Sequence, residues 1–403
     1  MKEQKKVPEL RFPEFCKRLS LFNFDEVYSF VQTNSLSRSK LNYEIGNIKN
    51  IHYGDIHTKF HHHFDAYNED VPFVNPDVDL TNVSKENYCR VGDLIIADAS
   101  EDYKDIGKAI EIIKLAEHKV LAGLHTYIAR SKKRQVAIGF GALLMQTFFI
   151  RRQIMRYATG ASVLGISKGN LSKIELALPQ LEEQEKIAEF LSVVDLKLEK
   201  LKEKKELLED YKKGVMQKIF SQEIRFKDDN GNDYPDWEKK KMGQVCDITT
   251  GSLDANAMAE NGQYPFFTCA REVYKIDIAA FDTEALLISG NGANVGYIHY
   301  YNGQFNAYQR TYVLSSFKQS IQFIKQYLCK NLRKRIFSEV KEGNTPYIVK
   351  STLSEMPISF PPAYEQQKIA DFLSSIDEKI EKLSDQIEQA EQFKKGLLQK
   401  MFV

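Results

Sequence analysis

The sequence predicts an α+β chain built twice over. Two unlike β-rich domains are each followed by a copy of one long helix, and the two helices are expected to pack as an antiparallel coiled coil with pseudo-twofold symmetry. Three observations predict this: a gapless internal repeat, a heptad pattern inside it, and short β-rich runs broken by turns between the copies.

The repeat is carried by LALPQLEEQEKIAEFLSVVDLKLEKLKEKKELLEDYKKGVMQKIF, which begins at Leu176, and ISFPPAYEQQKIADFLSSIDEKIEKLSDQIEQAEQFKKGLLQKMF, which begins at Ile358. The copies align without a gap at an offset of 182 residues, and about half of their positions are identical. Pro179 matches Pro361, Glu183-Gln184 matches Glu365-Gln366, and Asp195 matches Asp377. Lys212-Lys213-Gly214 matches Lys394-Lys395-Gly396. Upstream, GISKGNLSKIELALP parallels YIVKSTLSEMPISFP, and Glu9-Leu10-Arg11-Phe12 is echoed by Glu223-Ile224-Arg225-Phe226. So long a period describes a duplicated half-molecule and not a solenoid.

Each copy is a helix. Pro179 and the Pro361-Pro362 pair each precede a stretch without further proline, and Glu182, Glu183 and Glu185 crowd the first turn of the first copy, where negative charge favours a helix start. Ile187, Leu191, Val194, Leu198 and Leu201 step by four and three, as do Ile369, Leu373, Ile376, Ile380 and Leu383. That is a heptad seam. A helix of ~38 residues runs roughly 57 Å at 1.5 Å per residue. A narrow seam on a charged helix wants one partner helix. Duplication within one chain makes that partner local, which favours the internal pair over homodimerisation.

Residues 1–175 and 226–357 are the variable segments. In the first, GDLIIADAS and IGKAIEII read as strands, followed by GALLMQTFFIRRQIMRYATG. In the second, EALLISGNGANVGYIHYYNGQF reads as strand, glycine turn, strand, and IQFIKQYLCKNLRKRIFSEV as a helix. Basic residues recur at like places: Arg151, Arg152 and Arg156 with Lys168 beyond, and Lys330, Arg333, Lys334 and Arg335 with Lys350 beyond. Such side chains neutralise phosphates and release counterions, although a solvated helix face has the same composition. Polar and aromatic loops supply base contacts, since Asn and Gln pair with adenine and Arg or Lys with guanine. The candidate DNA contacts are Tyr53 and His57 in IHYGDIH, Asn291 and Asn294 in SGNGANVG, Gln309 and Arg310, and the basic Arg151, Arg152, Arg156, Lys168, Arg333 and Lys350.

Bulk numbers narrow the classes. With 403 residues the chain exceeds one ordinary domain, and 43% hydrophobic residues suffice for packed cores. The formal charge is only +1, so any basic surface is local. Absence of a signal-peptide pattern or an apolar run of spanning length, with five scattered cysteines, points to reduced thiols in a cytoplasm.

Catalytic patterns are weak. FPPAY places Phe360 where an amino-methyltransferase needs Asn or Asp, and no glycine loop for S-adenosylmethionine precedes it. GNGANVG lacks the Gly-Lys-Ser/Thr ending of a phosphate loop. Pro76-Asp77 with Asp102-Tyr103-Lys104 mimics a nuclease pattern that charged sequences produce by chance. In His61-His62-His63, adjacent imidazoles on extended chain should diverge and no matching ligand set follows, so a polar loop and no metal is expected. His125 and His299 read as ordinary core or loop histidines. A stand-alone nuclease and a scaffold that reads no DNA are the competing readings.

The pattern P-x-x-x-E-Q-x-K-I-A-x-F-L-S-x-x-D, followed by a heptad helix ending K-K-G-x-x-Q-K-x-F, occurs twice. It resembles the conserved regions of type I restriction–modification specificity subunits. ELRFPEF and DYPDWEKKKMGQV are similar to the entrances of their recognition domains, and ADAS and GNGANVG to loops within them. The resemblance implies target-recognition domains at 1–175 and 226–357, and conserved helical regions at 176–225 and 358–403. It implies a non-catalytic subunit whose domains each read half of a bipartite duplex target. The helices would set the spacer and dock two methyltransferase subunits, with motor-nuclease subunits in the full complex. No cofactor is then expected in this chain, and S-adenosylmethionine, ATP and Mg belong to the partners.

Overall fold

The structure, a computed structural model, describes residues 7–115, 117–340 and 345–403. The chain divides into two compact units, Met1–Leu201 with Gln386–Val403, and Lys202–Asp385. Each long helix therefore contributes one end to each unit.

The first unit is built on a five-stranded sheet in the order Tyr28–Val31, Thr126–Ser131, Leu94–Ala97, Ala109–Lys114, His63–Asp65. The last pair is parallel and the others antiparallel. Leu94–Ala97 is buried throughout because both faces are covered. Side chains alternate across a strand, so Leu94 and Ile96 enter one core while Ile95 and Ala97 enter the other. The first core includes Phe140, Leu143 and Ile154 of the helical segment and the ends of both long helices. The second holds Ile56, from the short helix Tyr53–Thr58.

The second unit repeats the plan with a six-stranded sheet in the order Asp247–Thr250, Thr311–Ser315, Phe281–Ser289, Ile298–Ala307, Tyr264–Phe267, Tyr274–Ile276. Leu286 and Ile288 face the core shared with the long helices, and Ala285 and Leu287 face a smaller one. The strand, glycine turn, strand reading of residues 284–305 is an antiparallel hairpin. Helix Ile321–Glu339 packs Phe323, Leu328 and Ile336 onto the larger core.

The long helices span Leu181–Phe220 and Ala363–Met401, 40 and 39 residues. In the first unit Ile187 and Leu191 share a core with Leu397 and Met401, and Lys394 Nζ lies 2.5 Å from Asp195 Oδ1. In the second, Met216 and Ile219 share a core with Ile369 and Leu373, and Lys212 Nζ lies 2.5 Å from Asp377 Oδ1. Within each unit, then, the start of one helix meets the end of the other, antiparallel. The seam is not reserved for the helix pair. Ile187 and Leu191 also lie in the core of Phe140 and Leu143, so a sheet domain covers part of each stripe. Val194, Leu201 and Ile380 are half-buried, while Leu198 and Leu383 are buried.

The repeated Glu-Gln has a structural reason. Glu183 accepts two hydrogen bonds of 2.7 Å from Arg11. Glu365 accepts from Arg225 at 3.2 and 2.7 Å and from Trp237 Nε1 at 3.2 Å. Gln184 Nε2 donates to the Pro179 carbonyl, and Gln366 Nε2 to that of Pro361. Their Oε1 atoms accept the backbone N–H of Ala137 and of Ser320. Each pair ties the helix start to the entry segment and to the domain beside it. Before each proline, a strand extends the match: Glu175–Leu178 pairs with Ser20–Asn23, and Pro357–Phe360 with Glu238–Lys241.

Candidate nucleic-acid interfaces

The loops at one end of each central strand follow the same backbone plan. In the first unit the amide of Asp98 donates to the His125 carbonyl, and that of Ile166 to Asp98. In the second the amide of Gly290 donates to Arg310, and that of Ile348 to Gly290. Gly107 donates to Ala97, and Gly296 to Ser289. Both glycines have positive φ, 66° and 81°, a region that favours glycine. A Cβ on Gly107 would lie 2.8 Å from Ile154, and one on Gly296 2.8 Å from Ile336. Loops 98–107 and 290–296 thus occupy equivalent places, as do His125 and Arg310, and Lys168 and Lys350. The last pair each open a short helix, Lys168–Leu171 and Lys350–Ser354.

On this shared plan the side chains differ. In the first unit Tyr53 opens its short helix, with its ring 4.7 Å from His52, 6.0 Å from His57 and 5.3 Å from His125. His57 Nε2 is 3.0 Å from the Ala99 carbonyl and donates to it. That hydrogen bond fixes the tautomer and leaves Nδ1 as an acceptor, buried and without a partner among the described residues. His125 Nδ1 lies 3.1 Å from Asp98. Burial, reinforced by Asp98, pushes the Tyr127 hydroxyl up to about 12. The Lys168 ammonium sits over the Tyr127 and Phe30 rings at 5.2 and 5.8 Å. Buried Asp55 holds Arg38 at 2.7 and 2.8 Å, and burial lowers the His52 pKa, with Arg38 adding to the shift.

The second unit presents amides and cations instead. Asn291 is half-buried in the turn, and Asn294 Nδ2 donates to the Cys269 carbonyl at 3.2 Å. Arg310 and Gln309 are exposed, the latter 3.4 Å from Asp254. The Arg271 guanidinium lies 5.4 Å from the Tyr297 ring, which abuts His299 at 4.8 Å.

The structure therefore gathers Tyr53, His57 and Lys168 in one patch, and Asn291, Asn294, Gln309 and Arg310 in another. The remaining basic candidates are dispersed. Arg151 donates to the carbonyls of Tyr103 and Lys104, bracing loop 98–107, and burial lowers its pKa. Arg152 lines an open groove with Phe148, Leu398 and Phe402. Arg156 is exposed in the last turn of Phe148–Tyr157. Arg333 stacks over Phe337 at 5.5 Å. Sequence reasoning set His125 and His299 aside as ordinary core or loop histidines, and it missed Arg271 and Tyr297. His125 has φ of 56°, which in a non-glycine residue marks a tight turn, but no local pattern announces it.

The histidine run needs correction. The rings of His62 and His63 do not diverge. Their centroids are 4.4 Å apart, and their ligating atoms lie within 4.8 Å of one from Asp195. The run enters an edge strand where residue 62 faces the long helix. Both Asp195 oxygens are engaged, one by Lys394 and one by His62 at 3.0 Å, while His63 Nε2 meets the Gly139 carbonyl at 2.6 Å.

One scaffold carried twice, with loops of unlike chemistry at matching strand ends, is the architecture of a duplicated recognition-domain protein. The chain belongs to the type I restriction–modification DNA specificity family, whose domain model matches residues 38–209 and again 234–392. The EcoDI specificity subunit of Escherichia coli is 39% identical over 165 residues, 41% of this chain and 36% of that one. The MjaVIII specificity subunit of Methanocaldococcus jannaschii is 27% identical over 298 residues, 64% and 67% of the two chains. The chain thus aligns with little over a third of the length of the EcoDI subunit. The fold resembles that of a type I system S subunit from M. genitalium, with a TM-score of 0.66 at 15% identity over 98% and 99% of the two chains. Among the described residues, no helix is long and apolar enough to cross a membrane.

Proposed function

We propose that this chain is the non-catalytic subunit that tells a restriction–modification complex where to bind, each loop cluster reading one half of a bipartite duplex target. The observation that carries this is the pair of equivalent strand-end loop clusters with different side chains. Equal geometry places two readers alike, and unequal chemistry lets them read unlike sequences. Asn291, Gln309 and Arg310 suit adenine and guanine edges, and Asp98 suits the cytosine amino group. Lys168 and Lys350 set register on phosphates. The long helices fix the unread spacer and dock two methyltransferase subunits, which motor-nuclease subunits join. S-adenosylmethionine, ATP and Mg act in those partners, and the complex works in the cytoplasm.

Methylome sequencing of cells that carry this chain and its methyltransferase partner tests the reading. One bipartite methylated motif with a single spacer is expected. Replacing residues 1–175 by the matching domain of another specificity subunit should rewrite one half only. Lack of any bipartite motif, or a change in both halves, would sink it.

A further inference from the structure

The helices bring one more repeated feature, and each domain answers it differently. Asp195 and Asp377 are repeat partners, as are Lys394 and Lys212. In each unit the aspartate of one helix takes the lysine of the other on Oδ1 at 2.5 Å. Its Oδ2 is left for the recognition domain. In the first unit His62 Nε2 takes it at 3.0 Å. In the second, Gln326 Nε2 takes it at 2.8 Å. The donors come from unrelated elements: His62 precedes the edge strand His63–Asp65, whereas Gln326 lies in helix Ile321–Glu339. Gln326 is buried, with Oε1 unpartnered among the described residues. Its amide therefore serves the aspartate alone.

We infer that Asp195 and Asp377 are positioning residues for target spacing, and that His62 and Gln326 are interchangeable keys that orient each recognition domain on the helix pair. A charge-assisted hydrogen bond is directional and about twice as strong as a neutral one. Apolar packing around Leu191 or Leu373 is non-directional and tolerates small slides. The polar node is thus what selects one docking angle. Two different elements meet the same oxygen because the helices offer one fixed acceptor to domains of different content.

The inference rests on the bipartite reading above. The test uses the full chain assembled with its methyltransferase partner. Methylomes are compared for His62→Ala, Gln326→Ala, and the exchanges His62→Gln and Gln326→His. If the wild-type motif is not bipartite, the functional reading fails. With a bipartite wild type, each alanine variant should methylate sites whose spacer is one base pair longer or shorter about tenfold more often, with both half-sites unchanged. The exchanges should keep the single spacer. Alanine variants that lose overall methylation with the spacer distribution intact would overturn the inference, as would exchanges that behave like alanine. Both alanine variants keep the Asp–Lys ion pair and the apolar packing, so assembly is expected. As a second measure, Asp195→Lys with Lys394→Asp should lose the key for His62 and relax the spacer, and an unchanged spacer there would also overturn it.

Discussion

The two recognition domains share backbone far more than side chains. Asp98, His125, Ile166 and Gly107 in one do what Gly290, Arg310, Ile348 and Gly296 do in the other, through the same hydrogen bonds. Yet one loop cluster sets Tyr53 edge-on to imidazoles beside a carboxylate, and the other is Asn, Gln and Arg. Duplication kept what holds a loop in place and released what the loop displays. The units also differ in composition. Seven of the eight histidines lie in the first, while the only tryptophan, Trp237, lies in the second.

The largest expected effect tests whether the units are independent. Glu365 is fully buried against Arg225 and Trp237, and Glu183 nearly so against Arg11. Truncating one partner of a buried pair costs about 3–5 kcal/mol, here nearer the lower end because both arginines retain some water contact. At roughly 2–4 °C per kcal/mol for a unit of this size, Glu365→Ala should lower the transition followed by Trp237 fluorescence by about 10 °C. Glu183→Ala should leave that transition in place and destabilise the first unit, followed by hydrogen exchange. Equal shifts of the Trp237 transition would break the comparison, since the units would then unfold as one.

Acid should separate the units next. Burial lowers the pKa of His52, His62 and His63, the last to about 4. An imidazole held neutral by the fold contributes stability that is full above about 6.5, its unfolded value, and is lost as pH falls toward the folded value. Glu111, pushed up to about 7 by burial, works in the opposite sense, its stabilising share fading as pH rises. Three imidazoles against one carboxyl leave the first unit weaker from pH 6.5 down to 4.5. The second has only His299 shifted this way. Hydrogen exchange, corrected for intrinsic rates, should show residues 94–131 opening several-fold more at pH 5 than at pH 7, with residues 281–315 changing less. Parallel change in both would end the distinction.

Much of the fold was legible in the sequence because its strongest signals are periodic. A gapless repeat and a heptad survive any surface variation, and both long helices start within a few residues of Pro179 and Pro361. The matching loops were not legible. Asp98 and Gly290 are linked by what their backbones bond to, and insertions of different length separate them from the aligned segments. His62 shows the same limit: its neighbour Asp195 is more than a hundred residues away, and only the fold brings them to 3.0 Å. Arg151 shows the converse. Composition marked it as a phosphate ligand, but two carbonyls of its own unit engage it.

The smallest effects distinguish register from reading. Arg310 and His125 are equivalent in backbone, but only Arg310 offers the fork that binds guanine in two places. Arg310→Ala should weaken binding of the assembled complex to its cognate duplex by about 1–3 kcal/mol, chiefly by relaxing one base position. Lys168 and Lys350 are equivalent in both respects, each a single exposed cation opening a short helix. If both touch phosphate, each alanine variant should lower the salt slope of binding by about one counterion and weaken cognate and noncognate duplexes alike. Fluorescence anisotropy across a salt series reads both quantities at once. A lysine variant that shifts base preference, or an Arg310→Ala variant that changes only the salt slope, would show that the division into anchoring and reading positions does not follow the duplicated scaffold.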